Sequence, residues 1–242
     1  APRVGELWEK MKTGGYSQSA GTTIHQFGGI MFSAPSILPL TSEQIAILIA
    51  AAEKQWAEVD TGIMGTLLEL ATNRRDVSGI GNDNSRIGAF YTHPSYVKKL
   101  ITPTIADPLH NDWLKVVEAT QEHIGRNDFK AAQKTLRDFH RKLCKTIVLD
   151  PACGSGNFLS GAMLQMKVLE TEIFTALRDL GVSRRSIERI PIKVNPGQFK
   201  GIEKNPRAAY IAETMLWITH LQHHYQLHGN MPPTEPILKD YG

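Results

Sequence analysis

Cysteine is scarce in this chain: Cys144 and Cys153 are the only two among 242 residues. They show no CxxC spacing and are too few for a structural zinc site of their own, so two free thiols in a reducing compartment is the preferred reading. Strong charge of one sign is also lacking. The 27 basic and 24 acidic residues leave a formal +3, which tolerates an acidic partner without announcing one. The basic residues stand out only as short pairs, Arg74-Arg75, Lys98-Lys99, Arg141-Lys142 and Arg184-Arg185. Each pair reads as a solvated helix or loop face rather than a phosphate clamp. No apolar run reaches the roughly 18–20 residues that span a bilayer, and Ala1-Pro-Arg-Val has no signal-peptide pattern. The chain is therefore expected to be cytoplasmic, with no membrane partner. What is present is a hydrophobic content of 41% with 20 Gly and 13 Pro in no fixed period, which excludes a disordered or collagen-like chain.

At roughly 100–200 residues per domain, this length supports one large domain or two small ones. Residues 13–40 are rich in Gly, Ser and Pro and predict no regular element. A helix is expected after Thr41, which has capping-box spacing to Gln44, with Ile45, Leu48, Ile49, Ala52 and Trp56 as one apolar stripe. A second helical stretch, Ile63 to Leu70, follows. Residues 72–88 are polar, rich in Gly and Asn and without period, and mark the expected domain boundary, giving units 1–75 and 76–242. Helix resumes at Pro94, with Val97, Leu100 and Ile101 on one face, and continues at about 108–121 and 128–143.

The pattern then changes to that of an α/β protein. Thr146-Ile-Val-Leu-Asp150 is a short β-branched run, as expected for a buried parallel strand. Gly154-Ser-Gly156 follows, and a long helix is predicted through Ala162, Met166, Leu169, Ile173 and Leu177. Phe199–Glu203 is a second strand candidate, followed from Pro206 by a largely apolar helix. Strand-turn-helix twice is the beginning of a doubly wound, Rossmann-like sheet, so the fold expected is helix-rich α/β with a helical N-terminal part and an incomplete sheet.

A glycine pair at the carboxyl end of a strand lets the backbone turn tightly, and the following helix offers free N–H groups at its start. Such a turn also occurs in α/β proteins with no ligand there. A dinucleotide fingerprint fits poorly, because Leu159 stands where the third glycine belongs and Glu203 lies 47 positions after Gly156. A Walker A loop is excluded, since no Lys-Ser or Lys-Thr follows at the required spacing.

The ten residues Asp150-Pro-Ala-Cys-Gly-Ser-Gly-Asn-Phe-Leu159 resemble motif I of the S-adenosylmethionine-dependent amino-methyltransferases of DNA, the adenine-N6 class in particular. Gly201-Ile-Glu203-Lys-Asn205-Pro206 resembles their motif II, and Gly88-Ala-Phe-Tyr91-Thr92-His-Pro94 their motif X. His25-Gln-Phe27-Gly-Gly-Ile-Met-Phe32 and the helix ending in Trp56 look like the helical spacer of large restriction–modification methyltransferases. The resemblance implies S-adenosylmethionine as cofactor and DNA as partner through the full-length protein. It also implies direct in-line methyl transfer to a flipped base.

For the cofactor, the resemblance implies Glu203 as acceptor for both ribose hydroxyls and Asp150 as receiver of the ammonium group. Pro151, Ala152, Gly154 and Gly156 then shape a turn against the methionine moiety, Phe158 opens the helix beyond it, and Tyr91 and Thr92 cover the ligand. Lys204 stands where an apolar residue usually packs on the adenine, and its stem can do the same. Plainer readings exist for several of these: Tyr91 as a core aromatic, Thr92 as a helix cap, Asp150 as a turn-former before proline. His93 follows Thr92 where the family often has proline.

One family element is not found in the sequence. The Asn/Asp-Pro-Pro-Tyr/Phe motif that holds the target amino group has no counterpart, because Pro232-Pro233 lies between Met231 and Thr234. No catalytic residue is therefore assigned. The chain reads as the cofactor-binding, amino-terminal half of a methyltransferase region, inactive by itself. The rest of the polypeptide supplies the base pocket and most DNA contacts, and in such proteins a nuclease domain can lie upstream. The competing readings are a non-catalytic helical interaction module with a vestigial glycine turn, and a dinucleotide-dependent oxidoreductase. His220, His223, His224 and His228 share a helix face, but no cysteine lies nearby, and they read as the polar end of a helix, with no metal site assigned.

Overall fold

A computed structural model describes residues 2–28, 32, 39–54, 56, 59, 63–65, 67, 92–229 and 231–239. The chain divides into two compact units, one of residues 1–59 with 224–242 and one of residues 60–223. The expected boundary at 75/76 and the expected linker 72–88 lie outside the described residues, as do Tyr91 and half of the second helical stretch.

In the first unit, helix α1 (Pro2–Thr13) is followed by an antiparallel hairpin of β1 (Gly15–Ser17) and β2 (Thr22–Ile24), in which Tyr16 pairs with Thr23. This hairpin falls in the stretch where no regular element was expected. Its three-residue strands are too short to show an alternating pattern, and what orders the turn lies elsewhere in the chain. The Glu6 carboxylate accepts from Ser17 Oγ at 3.2 Å and from the amide of Gln18 at 2.9 Å, with Ser19 completing the set. A distant segment adds to the unit: the amides of Ile237 and Leu238 donate to Gln26 and Phe27 carbonyls at 2.9 and 2.7 Å. Helix α2 (Ser42–Ala52) starts as expected, with the Thr41–Gln44 capping box formed in both directions. Its apolar stripe is not core, however. Ile45, Leu48 and Ile49 are 37%, 56% and 56% exposed, and α2 has no buried residue.

The second unit holds the main core. Helix α3 (Pro94–Ile101) runs through a π-helical turn, Thr102–Ala106, into α4 (Asp107–Gly125). The cap of α3 is His93, whose Nδ1 accepts from the Ser95 amide at 3.3 Å, and not Thr92. Helix α5 (Phe129–Lys145) packs on α4, with Trp113 stacked on Phe139 at 5.7 Å between ring centroids. Ala132, Leu136, Phe139 and Leu143 are buried at the expected 3.6-residue spacing, whereas Phe129 at the helix start is half exposed.

Strand β3 (Val148–Asp150) leads into the long helix α6 (Asn157–Asp179), whose predicted core positions Ala162, Met166, Leu169, Ile173 and Leu177 are all buried. A short helix α7 (Arg184–Glu188) and a 3-10 turn, Pro196–Gln198, precede β4 (Phe199–Gly201) and α8 (Pro206–His228). β3 and β4 pair in parallel, Val148 with Phe199 and Asp150 with Gly201. The architecture is therefore helix-rich α/β with the first two parallel strands of a Rossmann-like sheet, each feeding a 23-residue helix. The strand segment is less covered than expected: Ile147 and Leu149, two residues apart on one face, are 66% and 60% exposed, because that face borders an open cleft.

Candidate functional site

The site forms where β3 and β4 end side by side. Past the last ladder residues, the amide of Ile202 donates to the Asp150 carbonyl at 2.9 Å and the amide of Cys153 to the Ile202 carbonyl at 3.1 Å. The two strand ends are thus tied together, and the turn after β3 lies against the turn after β4. Asp150 Oδ1 accepts from the Ala152 amide at 3.0 Å, which sets the direction of Pro151-Ala152. Gly154 and Gly156 have φ of 54° and 84°, a conformation that residues with a Cβ rarely adopt.

The two glycines face different surroundings. A Cβ on Gly154 would meet nothing within 4 Å, so this glycine borders open space. A Cβ on Gly156 would lie 3.0 Å from both Cα and Cβ of Ala212 on α8, so this glycine also allows the turn to approach that helix. Gly156 caps α6 without a side-chain hydrogen bond, which leaves the first amides of a 23-residue helix as donors.

Glu203 reaches back across the junction. Its Oε2 accepts from the Gly154 amide at 3.0 Å and its Oε1 from the Asn205 amide at 2.7 Å. Each oxygen so carries one backbone donor, and since a carboxylate offers about four acceptor positions, capacity remains for two hydroxyls. Asn205 Oδ1 in turn accepts from the Arg207 amide at 3.0 Å at the start of α8. Cys153 is buried between these acids, and its thiol is pushed up by burial and by the charges of Asp150 and Glu203.

Beside the turn opens a cleft of about 560 Å³, within the usual range for small-ligand sites. Asp150, Pro151, Ala152 and Phe158 line it together with Leu100, Thr104 and Leu109. Of the expected site residues, the structure therefore brings Asp150, Pro151, Ala152 and Phe158 to one cleft and joins Gly154 to Glu203 by a hydrogen bond. Gly156 lies behind them, Lys204 is exposed and Thr92 half-buried. Tyr91 lies outside the described residues.

One polar cluster had no signal in the sequence. His140 Nε2 lies 2.8 Å from Glu170 Oε1 and 3.5 Å from Cys144 Sγ, all three buried between α5 and α6. Glu170 Oε1 also accepts from the Val194 amide at 2.9 Å, while buried Lys167 donates to the Val194 carbonyl at 3.1 Å. Burial lowers Lys167 to about 8, and burial, aided by Glu170, raises the Cys144 thiol to about 12. A thiol held protonated is a poor metal ligand, and both polar groups of Val194 are satisfied by this arrangement. The cluster reads as a clamp on the segment before β4.

Residues 125–239 match the family model of the MmeI DNA-methyltransferase domain. DNA methyltransferase A of Bacillus subtilis strain 168 is 25% identical over 215 residues, covering 86% of this chain and 22% of that protein. Over these residues the chain is similar to the DNA methyltransferases of restriction–modification systems. A solved structure of the type IIL restriction–modification enzyme MmeI in complex with DNA superposes with a TM-score of 0.71 at 26% identity. It covers 94% of this chain and 28% of the MmeI chain. The chain thus spans less than a third of each of these two methyltransferase relatives. Its fold is that of an MmeI-like methyltransferase domain, and the matched region contains α5, both parallel strands and the glycine turn.

Proposed function

We propose that these residues form the cofactor half of a DNA adenine-N6 methyltransferase that uses S-adenosylmethionine. The observation that carries this reading is the junction of the two strand ends. There, the tethered Glu203 carboxylate and the open Gly154 turn lie next to the turn-forming Asp150, which with Pro151, Ala152 and Phe158 lines a cleft of suitable volume. The fit to the cofactor is chemical. Glu203, an acceptor-only group with lone pairs to spare, suits a ribose diol. Asp150 suits an ammonium, and the free amides at the start of α6 suit a carboxylate. Phe158 gives the cleft an apolar wall, and the exposed Lys204 stem can flank the adenine. Thr92 and Tyr91 are proposed to cover the ligand.

When bound, S-adenosylmethionine supplies an electrophilic sulfonium methyl. The chain's own residues hold and orient that group: Glu203 fixes the ribose, and the Gly154 turn admits the methionine portion at the strand ends. The target base, the acceptor motif that holds its amino group, and most DNA contacts belong to the rest of the polypeptide, so these 242 residues alone are not expected to transfer methyl. Residues 1–75 are proposed as a spacer ahead of a methyltransferase part at 76–242. The restriction–modification relatives support DNA as partner and an attached nuclease in the longer protein, and a cytoplasmic place of work is proposed with them.

Titration calorimetry with S-adenosylmethionine, on the protein that carries these residues, tests the reading. Glu203→Ala is expected to weaken binding at least about tenfold, or about 1.4 kcal/mol. Unchanged affinity in that variant would overturn the assignment. Nucleoside analysis of methylated duplex DNA is expected to show N6-methyladenine, and N4-methylcytosine in its place would reassign the base.

A further inference from the structure

Residues 129–145, the whole of α5, hold six basic side chains and one acidic one, a net +5 in a chain whose total is +3. All of the chain's basic excess thus sits on one helix. Lys130, Lys134, Arg137, Arg141 and Lys145 recur at steps of three or four residues, which places them within an arc of about 80° on an α-helix. The stripe extends for about 22 Å. In sequence it is invisible as a run, because apolar core residues separate the cations, and its one adjacent pair, Arg141-Lys142, points two ways.

The same five cations line one wall of a groove of about 460 Å³, with Ile190, Pro191 and Ile192 forming an apolar wall. Asp138 is the sole acid lining it and is paired with Arg141. Lys130, Lys134, Arg137 and Lys145 have no acidic partner among the described residues. Four unneutralised cations aligned on a rigid helix cost self-repulsion that a partner of opposite charge relieves.

We infer that this groove is a contact surface for the sugar–phosphate backbone of duplex DNA. Regularly spaced cations match a regularly spaced line of phosphates, and the apolar wall suits sugar edges. A bilayer surface would need the helix's apolar face, but Ala132, Leu136, Phe139 and Leu143 are buried in the core. The contacts read no sequence; they position the duplex. The inference rests on the proposed DNA-methyltransferase reading and adds to it a binding surface on the cofactor half itself.

The test is the salt dependence of binding to a short mixed-sequence duplex. Lys130→Gln/Lys134→Gln/Lys145→Gln removes three exposed cations in favour of a good helix former. If all three contact phosphates, the slope of log affinity against log salt falls in magnitude by about 2.7, that is, about 0.9 for each contact. Lys98→Gln/Lys99→Gln/Lys115→Gln removes the same charge elsewhere and is expected to keep a slope near that of the unaltered protein. Equal slopes in the two triple variants, no duplex binding by the unaltered protein, or stronger binding of an acidic polypeptide than of duplex would each overturn the inference. S-adenosylmethionine affinity, measured alongside, separates the two readings. Absent cofactor binding with a reduced slope removes the methyltransferase reading alone, and intact cofactor binding with an unchanged slope removes the groove alone.

Discussion

The Cα of Gly156 faces Ala212 so closely that a single added methyl would stand 3.0 Å from that residue's Cα and Cβ. The glycine that ends the turn after β3 thereby sets how closely α8 approaches the site. Gly154, two residues earlier, has equal need of a positive φ but no such neighbour.

The two positions are expected to answer alanine differently. Gly154→Ala meets only the conformational strain, about 1–2 kcal/mol. Gly156→Ala adds steric overlap, typically about 1–3 kcal/mol more. Chemical denaturation of both variants checks this, and equal losses would show that α8 moves aside.

Removal of the Glu170 carboxylate is expected to be costly. Glu170→Ala leaves the Val194 amide and His140 without their acceptor and leaves Lys167 as an uncompensated buried cation, a combination worth about 3–5 kcal/mol. Hydrogen exchange offers a local readout, because the Val194 amide should lose protection in the variant before the amides of the α6 core do.

The same cluster gives a signed pH dependence. Lys167 titrates near 8 in the fold against an ordinary 10.5, so between these values the unfolded chain binds the extra proton and stability rises with pH. Cys144 titrates near 12 against an ordinary 9.0, so between those values the folded chain holds the proton and stability falls with pH. Relative to Lys167→Met, the unaltered protein should therefore gain stability from pH 8 to 10.5. Relative to Cys144→Ala, it should lose stability above pH 9. Denaturation midpoints across that range give both signs.

Both thiols are buried and raised, so neither is expected to react with an alkylating reagent at neutral pH until the protein unfolds. Mass spectrometry with increasing denaturant should show Cys144 and Cys153 labelling only with the unfolding transition. Labelling of either in the native state would show a local opening.

What the sequence revealed tracks how local the determining interactions are. α6 could be read to within a turn because its apolar period persists over 23 residues, and the Thr41–Gln44 cap because its partners are three residues apart. The glycine turn and Glu203 were legible as types. Their hydrogen bond was not, because it spans 49 positions of chain. The turn of the β1–β2 hairpin is held by Glu6, which is not in its own pattern. The apolar stripe on α2 is visible in the sequence but its exposure is not, since periodicity reports an apolar face and not what covers it. The His140–Glu170 pair and the basic groove follow the same rule, as each needs two elements folded against one another.

Glu203 is held at both oxygens before any ligand arrives. A free glutamate side chain loses about 1.5–2 kcal/mol of rotamer entropy when it is fixed. In this fold that ordering occurs during folding, when Gly154 and Asn205 donate their amides, and is not charged to association. Recognition of the proposed ribose diol should therefore resemble a key meeting a rigid lock, with a small entropic penalty from the protein side and little dependence on side-chain rearrangement.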